Sequence, residues 1–244
     1  MENIILSTKN TWCPGCGNFG IQGVLKDFIS ERGREKTVLV SGIGCHGKLA
    51  DYLDVNSFYA LHGRAVAAAQ GVKMANEDLQ VICSVGDGDT YEEGVAHLIH
   101  AAKRDIDITV IVHDNRVFAL TVNQATSTSP EGFVSSTTPN GKTEKAINPL
   151  DIMLSSGASF VARSYVRKAP HFAKILREAV DHKGFSFVEV LQPCVAWHNN
   201  FSEYDEKTYE MEESLSFEEA KKKVQEWDYN NMESKIPLGV FYKK

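Results

Sequence analysis

The chain has 244 residues, 43% of them apolar and 24% charged, which suits a substantial core and excludes a disordered or fibrous protein. A formal net charge of −6 removes the electrostatic basis for general nucleic-acid binding, which needs a basic face. No apolar run approaches the roughly 20 residues of a membrane span, and residues 1–10 lack a basic stretch followed by an apolar one, so a soluble, cytoplasmic protein is expected.

In chain order, Trp12-Cys13-Pro14-Gly15-Cys16-Gly17 comes first. Ile21, Val24, Leu25, Phe28 and Ile29 then recur on one helical face. Val38-Leu39-Val40 reads as a short strand running into Gly42-Ile43-Gly44-Cys45, and residues 58–61 read as a second strand. The alanine-rich stretch 64–76 predicts a helix packed closely on a sheet. Residues 79–85 predict a buried strand ending in Gly86-Asp87-Gly88-Asp89, with a helix over about 92–102 behind it. Residues 107–113 predict a strand closed by Asp114-Asn115, and strand 160–162, helix 170–181 and strand 186–191 continue the alternation.

Helices alternating with continuously apolar strands imply an α/β fold, a parallel sheet flanked by helices on both faces. In such folds ligands collect at the carboxyl ends of the strands. Gly42 to Cys45, Gly86 to Asp89, Asp114-Asn115 and Pro193-Cys194 each follow a strand, so all can face one rim. Two stretches break the rhythm. Residues 121–148 are rich in Ser, Thr, Pro and Gly and read as a long polar loop, ordered by a partner. In the 203–244 tail, an acidic run precedes Ser216-Phe217-Glu218-Glu219, a capping box that opens a helix through Ala220, Val224 and Trp227. The tail is expected to be peripheral to a single domain spanning 1–244.

The chain holds five cysteines. Cys83 sits inside the apolar run 81–85 and reads as core. Cys13, Cys16, Cys45 and Cys194 share glycine or proline surroundings, which free the backbone to wrap a metal group. Four thiolates suit structural zinc or an iron–sulfur cluster, and a C-x-x-C alone also fits a redox pair, although no strand-forming run precedes it here. The cysteine pattern leaves cluster, zinc and no metal open.

Gly86-Asp87-Gly88 at a strand end gives backbone room for a phosphate and one carboxylate, and Asn115 follows one helix and one strand later. A carboxylate, an amide oxygen and a backbone carbonyl are the hard ligands magnesium prefers, with a diphosphate completing its shell. The amides of the next helix favour the anion. No P-loop and no Gly-x-Gly-x-x-Gly after a strand competes with this reading.

Taken in order, Cys13 to Gly17, Gly42 to Cys45, Leu61-His62-Gly63-Arg64, Gly86 to Asp89, residues 115–121 and Leu191-Gln192-Pro193-Cys194 resemble one family. It is the thiamine-diphosphate-binding β subunit of 2-oxoacid:ferredoxin oxidoreductases, which act on pyruvate or 2-oxoglutarate. The likeness covers about residues 10–200, and the run 236–242 is similar too. The resemblance implies a thiamine-diphosphate-binding fold in which Cys13, Cys16, Cys45 and Cys194 hold a [4Fe–4S] cluster. It also implies magnesium held by Asp87, Asn115 and the carbonyl of Val117, an apolar wedge at Leu120 and a phosphate contact at Thr121. Cys45, His46, His62, Gly63, Arg64, Gly86, Gly88 and Asp89 complete the implied cofactor contacts; for His62 to Arg64 a structural turn is the alternative. Lys48 and His62 are the catalytic candidates, Lys48 facing either a substrate carboxylate or solvent.

What the resemblance implies as activity is oxidative decarboxylation of a 2-oxoacid to acyl-CoA and carbon dioxide, with electrons passing through the cluster to ferredoxin. The glutamate that serves the cofactor's aminopyrimidine belongs to an α subunit in that family. Glu92 and Glu93, the acids nearest the signature here, read as helix-N-terminal charge. An α partner is therefore expected, with γ and δ subunits as further candidates. The chain departs from the family pattern at His46, at Val122-Asn123-Gln124 and at Ala196-Trp197-His198, which leaves the 2-oxoacid open. The alternatives are a non-oxidative thiamine-dependent decarboxylase subunit and a zinc-stabilised non-catalytic module.

Overall fold

The helical face after Cys16 forms α1 (Asn18–Arg32), which buries Ile21, Leu25, Phe28 and Ile29. The computed structural model describes residues 3–231 and 233–244, so Met1 and Glu2 of the 1–10 stretch and Met232 of the tail lie outside the described residues. The first half continues through β1 (Thr37–Ser41), α2 (Leu49–Tyr52), β2 (Asn56–Tyr59), α3 (Ala65–Ala75), β3 (Gln80–Gly86), α4 (Val95–Arg104) and β4 (Thr109–Asp114). A small ladder follows, β5 (Val117–Phe118) against β6 (Gln124–Ala125). Then come α5 (Pro149–Ser155), β7 (Phe160–Tyr165), α6 (Ala169–Asp181), β8 (Ser186–Leu191), α7 (Phe201–Lys207), β9 (Thr208–Glu210), α8 (Phe217–Lys223) and β10 (Ile236–Lys243).

The main sheet runs β2-β1-β3-β4-β8-β7-β10-β9. Its strands from β2 to β7 are parallel, and β10 is antiparallel to β7. Every residue of β4, β7 and β8 is buried, as continuous apolar strands demand when both faces are covered. One face packs on α1 and α6 through Leu39, Ile82, Ile111 and Val188; the other packs on α3, α4 and α5 through Val40, Val81, Val110 and Phe187. Cys83 is fully buried in the second layer, as its apolar setting predicts. The 2-1-3-4 strand order places a switch point between β1 and β3, where parallel sheets open a crevice for ligands.

Three expectations need correction. The second strand ends at Tyr59, and Leu61 beyond it is 79% exposed, because β2 is an edge strand whose residues are exposed. The loop 121–148 is not left for a partner to order: Thr126, Thr128 and Ser129 are buried in this chain, and Arg116 Nε donates to the Thr128 carbonyl at 2.6 Å. The 203–244 tail is not peripheral either. It supplies β9 and β10, and buries Trp227, Tyr229, Ile236, Leu238 and Phe241.

The physical reason is a buried ion pair between β7 and β8. Arg163 Nε lies 2.7 Å from Glu189 Oε2, with both side chains fully buried. Such a pair holds only when its remaining donors and acceptors are satisfied. Tyr229 donates its hydroxyl to Glu189 at 2.8 Å, and the Arg163 guanidinium lies 4.8 Å from the Trp227 ring centre. The capping box at Ser216 and Glu219 is present, but α8 ends at Lys223, which frees Trp227 for this role. Among the described residues no helix is long and apolar enough to cross a membrane.

Candidate active site

Three loops at the carboxyl ends of the strands meet around Asp89. Its Oδ1 accepts the Gly63 N–H at 2.8 Å and the Ile43 N–H at 3.4 Å, and lies 3.2 Å from His62 Nδ1. Gly42 must lack a side chain, since a Cβ there would fall 1.9 Å from Asp89 Oδ2. Gly63 has φ +69 and lies against the backbone of Glu93, so it also requires glycine. Burial raises the Asp89 pKa, while these N–H groups and His62 lower it. Asp89 thus ties the loops 42–45, 61–64 and 86–89 together.

Asp87 is buried at the end of β3, and the Thr128 hydroxyl lies 3.2 Å from its Oδ2. The same hydroxyl lies 2.8 Å from Asp114 Oδ1. Burial pushes Asp87 up to about 6, against hydrogen bonds from Thr126 and Thr128 that pull it down. Asp114 is held well above the ordinary carboxylate range, first by burial and then by the Asp87 charge. The Arg116 charge lowers the Asp114 value only in part, and a hard cation beside Asp87 would relieve the pair further. Asn115 Oδ1 accepts the Val117 N–H at 3.0 Å, a tight turn that folds the Val117 backbone back beside it.

Cys45, His46, His62, Gly86, Asp87, Gly88, Asp89, Asn115, Val117, Leu120 and Thr121 all line one cavity of about 300 Å³. Gly63 and Arg64 do not; Arg64 is exposed, and its guanidinium bonds the Gly63 and Glu93 carbonyls. For these two residues the turn reading fits the placement. Glu92 and Glu93 line the cavity as well, and Ser127 donates to Glu92 Oε1 at 3.1 Å. Phe118 was not legible as a wall residue, yet a Cβ on Gly88 would meet its ring at 2.2 Å. Gly88→Ala should therefore displace Phe118 at a cost of about 1–3 kcal/mol, read as weaker thiamine diphosphate binding by calorimetry; unchanged affinity would show that Phe118 does not form the wall.

His46 is buried, its ring packed where a Cβ on Gly86 would come within 2.8 Å. Burial, His113 and His62 hold its pKa well below the usual value, so it is neutral at pH 7. His46 Nε2 has no hydrogen-bond partner among the described residues. Burial likewise lowers His113 to about 4. At the mouth, Thr121 bonds Gln124, and Val122 and Asn123 take φ +70 and +67. A β-branched residue in the left-handed region is strained, which explains why glycine is the easier choice there.

A second cavity, of about 150 Å³, is lined by Cys13, Cys16, Cys45 and Cys194 together with Lys48 and Trp12. It shares Cys45, Asn115, Ala119 and Leu120 with the first, so one wall separates the two. Burial and the other three cysteines push the Cys16 thiol up to about 11. Burial also raises Cys45, while Lys48 lowers it. Trp12 Nε1 donates to the Cys45 carbonyl at 2.7 Å, and Lys48 Nζ donates to Thr11 Oγ1 at 2.8 Å. Among the described residues, no three histidine, cysteine, aspartate or glutamate side chains stand at the spacing of a single metal ion. The four thiols instead surround a space, a donor set that suits a larger, sulfur-loving group.

Comparison with known proteins agrees with this geometry. Residues 42–190 match the family described as thiamine pyrophosphate enzyme, C-terminal TPP binding domain. The chain is 40% identical over 248 residues to the 2-oxoacid:ferredoxin oxidoreductase subunit beta of Saccharolobus solfataricus, covering 96% of this chain and 81% of that protein. It is 43% identical over 187 residues to the 2-oxoglutarate synthase subunit KorB of Archaeoglobus fulgidus, covering 75% of this chain and 69% of that protein. Its fold superposes with a TM-score of 0.93 on the 2-oxoglutarate:ferredoxin oxidoreductase of Magnetococcus marinus, solved with 2-oxoglutarate, coenzyme A and succinyl-CoA bound. That match has 31% identity and covers 99% of this chain and 84% of the other. The chain belongs to the β-subunit family of the 2-oxoacid:ferredoxin oxidoreductases, built on the thiamine-diphosphate-binding fold.

Proposed function

We propose that this chain is the thiamine-diphosphate-carrying subunit of a cytoplasmic, coenzyme A-acylating 2-oxoacid:ferredoxin oxidoreductase. The observation that carries the reading is the common wall: a four-thiol cavity backs directly onto the cavity that holds Asp87 and Asn115. The 2-oxoglutarate enzymes among its relatives make 2-oxoglutarate the first substrate to test, with pyruvate second. The partners are an α subunit, with γ and δ subunits as further candidates, and ferredoxin.

When bound, thiamine diphosphate supplies the decarboxylation chemistry, magnesium anchors its diphosphate, and a [4Fe–4S] cluster accepts single electrons. Asp87, the Asn115 side chain and the Val117 carbonyl would hold the magnesium. Asp89 keeps the rim loops in register. Leu120, shared by both cavities, wedges the cofactor, and Thr121 meets its phosphates. His46 stays neutral and borders this space with a buried, unpartnered Nε2, which can bind a polar group of cofactor or substrate if the ring turns. Lys48 borders the cluster cavity, so a substrate carboxylate would have to draw it away from Thr11.

Serine replacements test the cluster assignment. Cys13→Ser, Cys16→Ser, Cys45→Ser and Cys194→Ser should each lower iron in anaerobically purified complex, whereas Cys83→Ser should leave it unchanged. Full iron loss from Cys83→Ser with retention in Cys194→Ser would sink the assignment. Zinc in place of iron in the wild-type complex would leave the chain without an electron exit and favour the non-oxidative alternative.

A further inference from the structure

Gln192 follows β8 directly, is 3% exposed, and bridges two groups. Its Oε1 lies 2.8 Å from His113 Nδ1, and its Nε2 lies 3.9 Å from Cys16 Sγ. The Asn18 Oδ1 also faces His113 Nδ1, at 3.1 Å, while the Ser84 hydroxyl lies 2.9 Å from His113 Nε2. Two amide oxygens on Nδ1 place the ring proton there, and Ser84 then donates to Nε2. The amide nitrogen of Gln192 is left facing the sulfur. Turning the amide over would set a carbonyl oxygen against a thiolate, two electron-rich atoms that repel.

Space is kept for this contact. A Cβ on Gly17 would fall 2.7 Å from Gln192 Cγ and 2.9 Å from Val166 Cγ2, so the glycine after Cys16 lets Gln192 pass beside the start of α1. The backbone N–H of Asn18 also bonds the Cys16 sulfur. Cys16 therefore has donors from the helix start and from the end of β8.

We infer that Gln192 is a positioning residue whose amide donates an N–H···S bond to the Cys16 thiolate and raises the reduction potential of the cluster held by the four cysteines. The inference rests on the cluster assignment proposed above. An added electron places more negative charge on the ligand sulfurs, so a donor there stabilises the reduced cluster more than the oxidised one. The His113, Ser84 and Asn18 contacts hold the amide in the donating orientation.

The test is a redox titration followed by electron paramagnetic resonance, on anaerobically purified complex carrying the wild-type chain or Gln192→Met. Methionine keeps the length and removes the donor. Expected are unchanged iron content and a midpoint lower by about 59 mV, a tenfold change in the one-electron equilibrium. An iron-replete variant with an unmoved midpoint overturns the inference alone, since a merely structural side chain would alter stability and not potential. Wild-type complex without iron overturns the cluster assignment and the inference with it. If the variant does not retain its cluster, wild-type complex labelled with ¹⁵N in glutamine side chains decides by pulsed resonance. Nitrogen coupling to the reduced cluster supports the bond, and its absence overturns it.

Discussion

Asp87→Ala should lose magnesium-dependent thiamine diphosphate binding by about 3 kcal/mol or more, roughly a hundredfold in affinity, and with it most of the turnover. The expectation rests on placement: the Asp87 carboxylate is a buried charge in the wall of the larger cavity, beside a second buried carboxylate at Asp114. A divalent cation removed from that setting has lost its charged ligand, and neutral Asn115 and Val117 cannot replace it. Asp87→Asn separates binding from folding. Burial raises the Asp87 pKa from 3.8 to about 6, so its charged form at pH 7 weakens the cofactor-free fold. The asparagine variant should therefore bind the cofactor worse and yet unfold at a higher temperature when cofactor is absent. Calorimetry and thermal melts read the two effects; unchanged affinity in Asp87→Ala would reduce the motif to a turn.

The isolated chain should show no 2-oxoacid-dependent reduction of viologen or ferredoxin in the presence of coenzyme A, and co-expression with its α partner should restore it. The expectation rests on the family resemblance, which gives the aminopyrimidine glutamate to an α subunit; here Glu92 and Glu93 are exposed side chains of the cavity wall, and Ser127 donates to Glu92 Oε1. Beside the cavity, Leu120 and Val122 are exposed, as are Phe58 and Leu61 on the sheet edge, and these apolar side chains suit burial under another subunit. Turnover by the isolated chain equal to that of the complex would mean that the acid is present after all. Glu92→Gln would then be the next variant to assay.

Legibility in the sequence followed how local each signal was. Gly42, Gly86 and Asp114 could be placed at strand ends because the apolar runs before them are uninterrupted, and the rim followed from the rule for parallel sheets. The Thr128 contact to Asp87 spans 41 residues and leaves no local pattern. Arg64 sits beside residues of the cavity wall, yet its side chain is drawn away by two carbonyls, which adjacency in sequence cannot reveal. Strand β10 was hidden because Pro237 and Gly239 interrupt its apolar run, and both are poor strand formers. Trp227 and Tyr229 looked like ordinary aromatic residues of a tail because their partners, Arg163 and Glu189, are buried charges on distant strands.

Arg116, between Asn115 and Val117, is fully buried at φ +61 and donates to the Tyr229 carbonyl, 113 residues further along the chain. During synthesis the strands β1 to β4 emerge first and can pair, but Arg116 cannot reach this acceptor until Tyr229 has been made. A contact of such long sequence separation is closed late, because the entropy of the intervening loop must be met first. Nascent or C-terminally clipped chains can thus hold much of their sheet while this loop remains unfixed. The loop that carries Asn115 depends on a residue 113 positions away in the sequence, and substitutions near Tyr229 should be felt at the cavity.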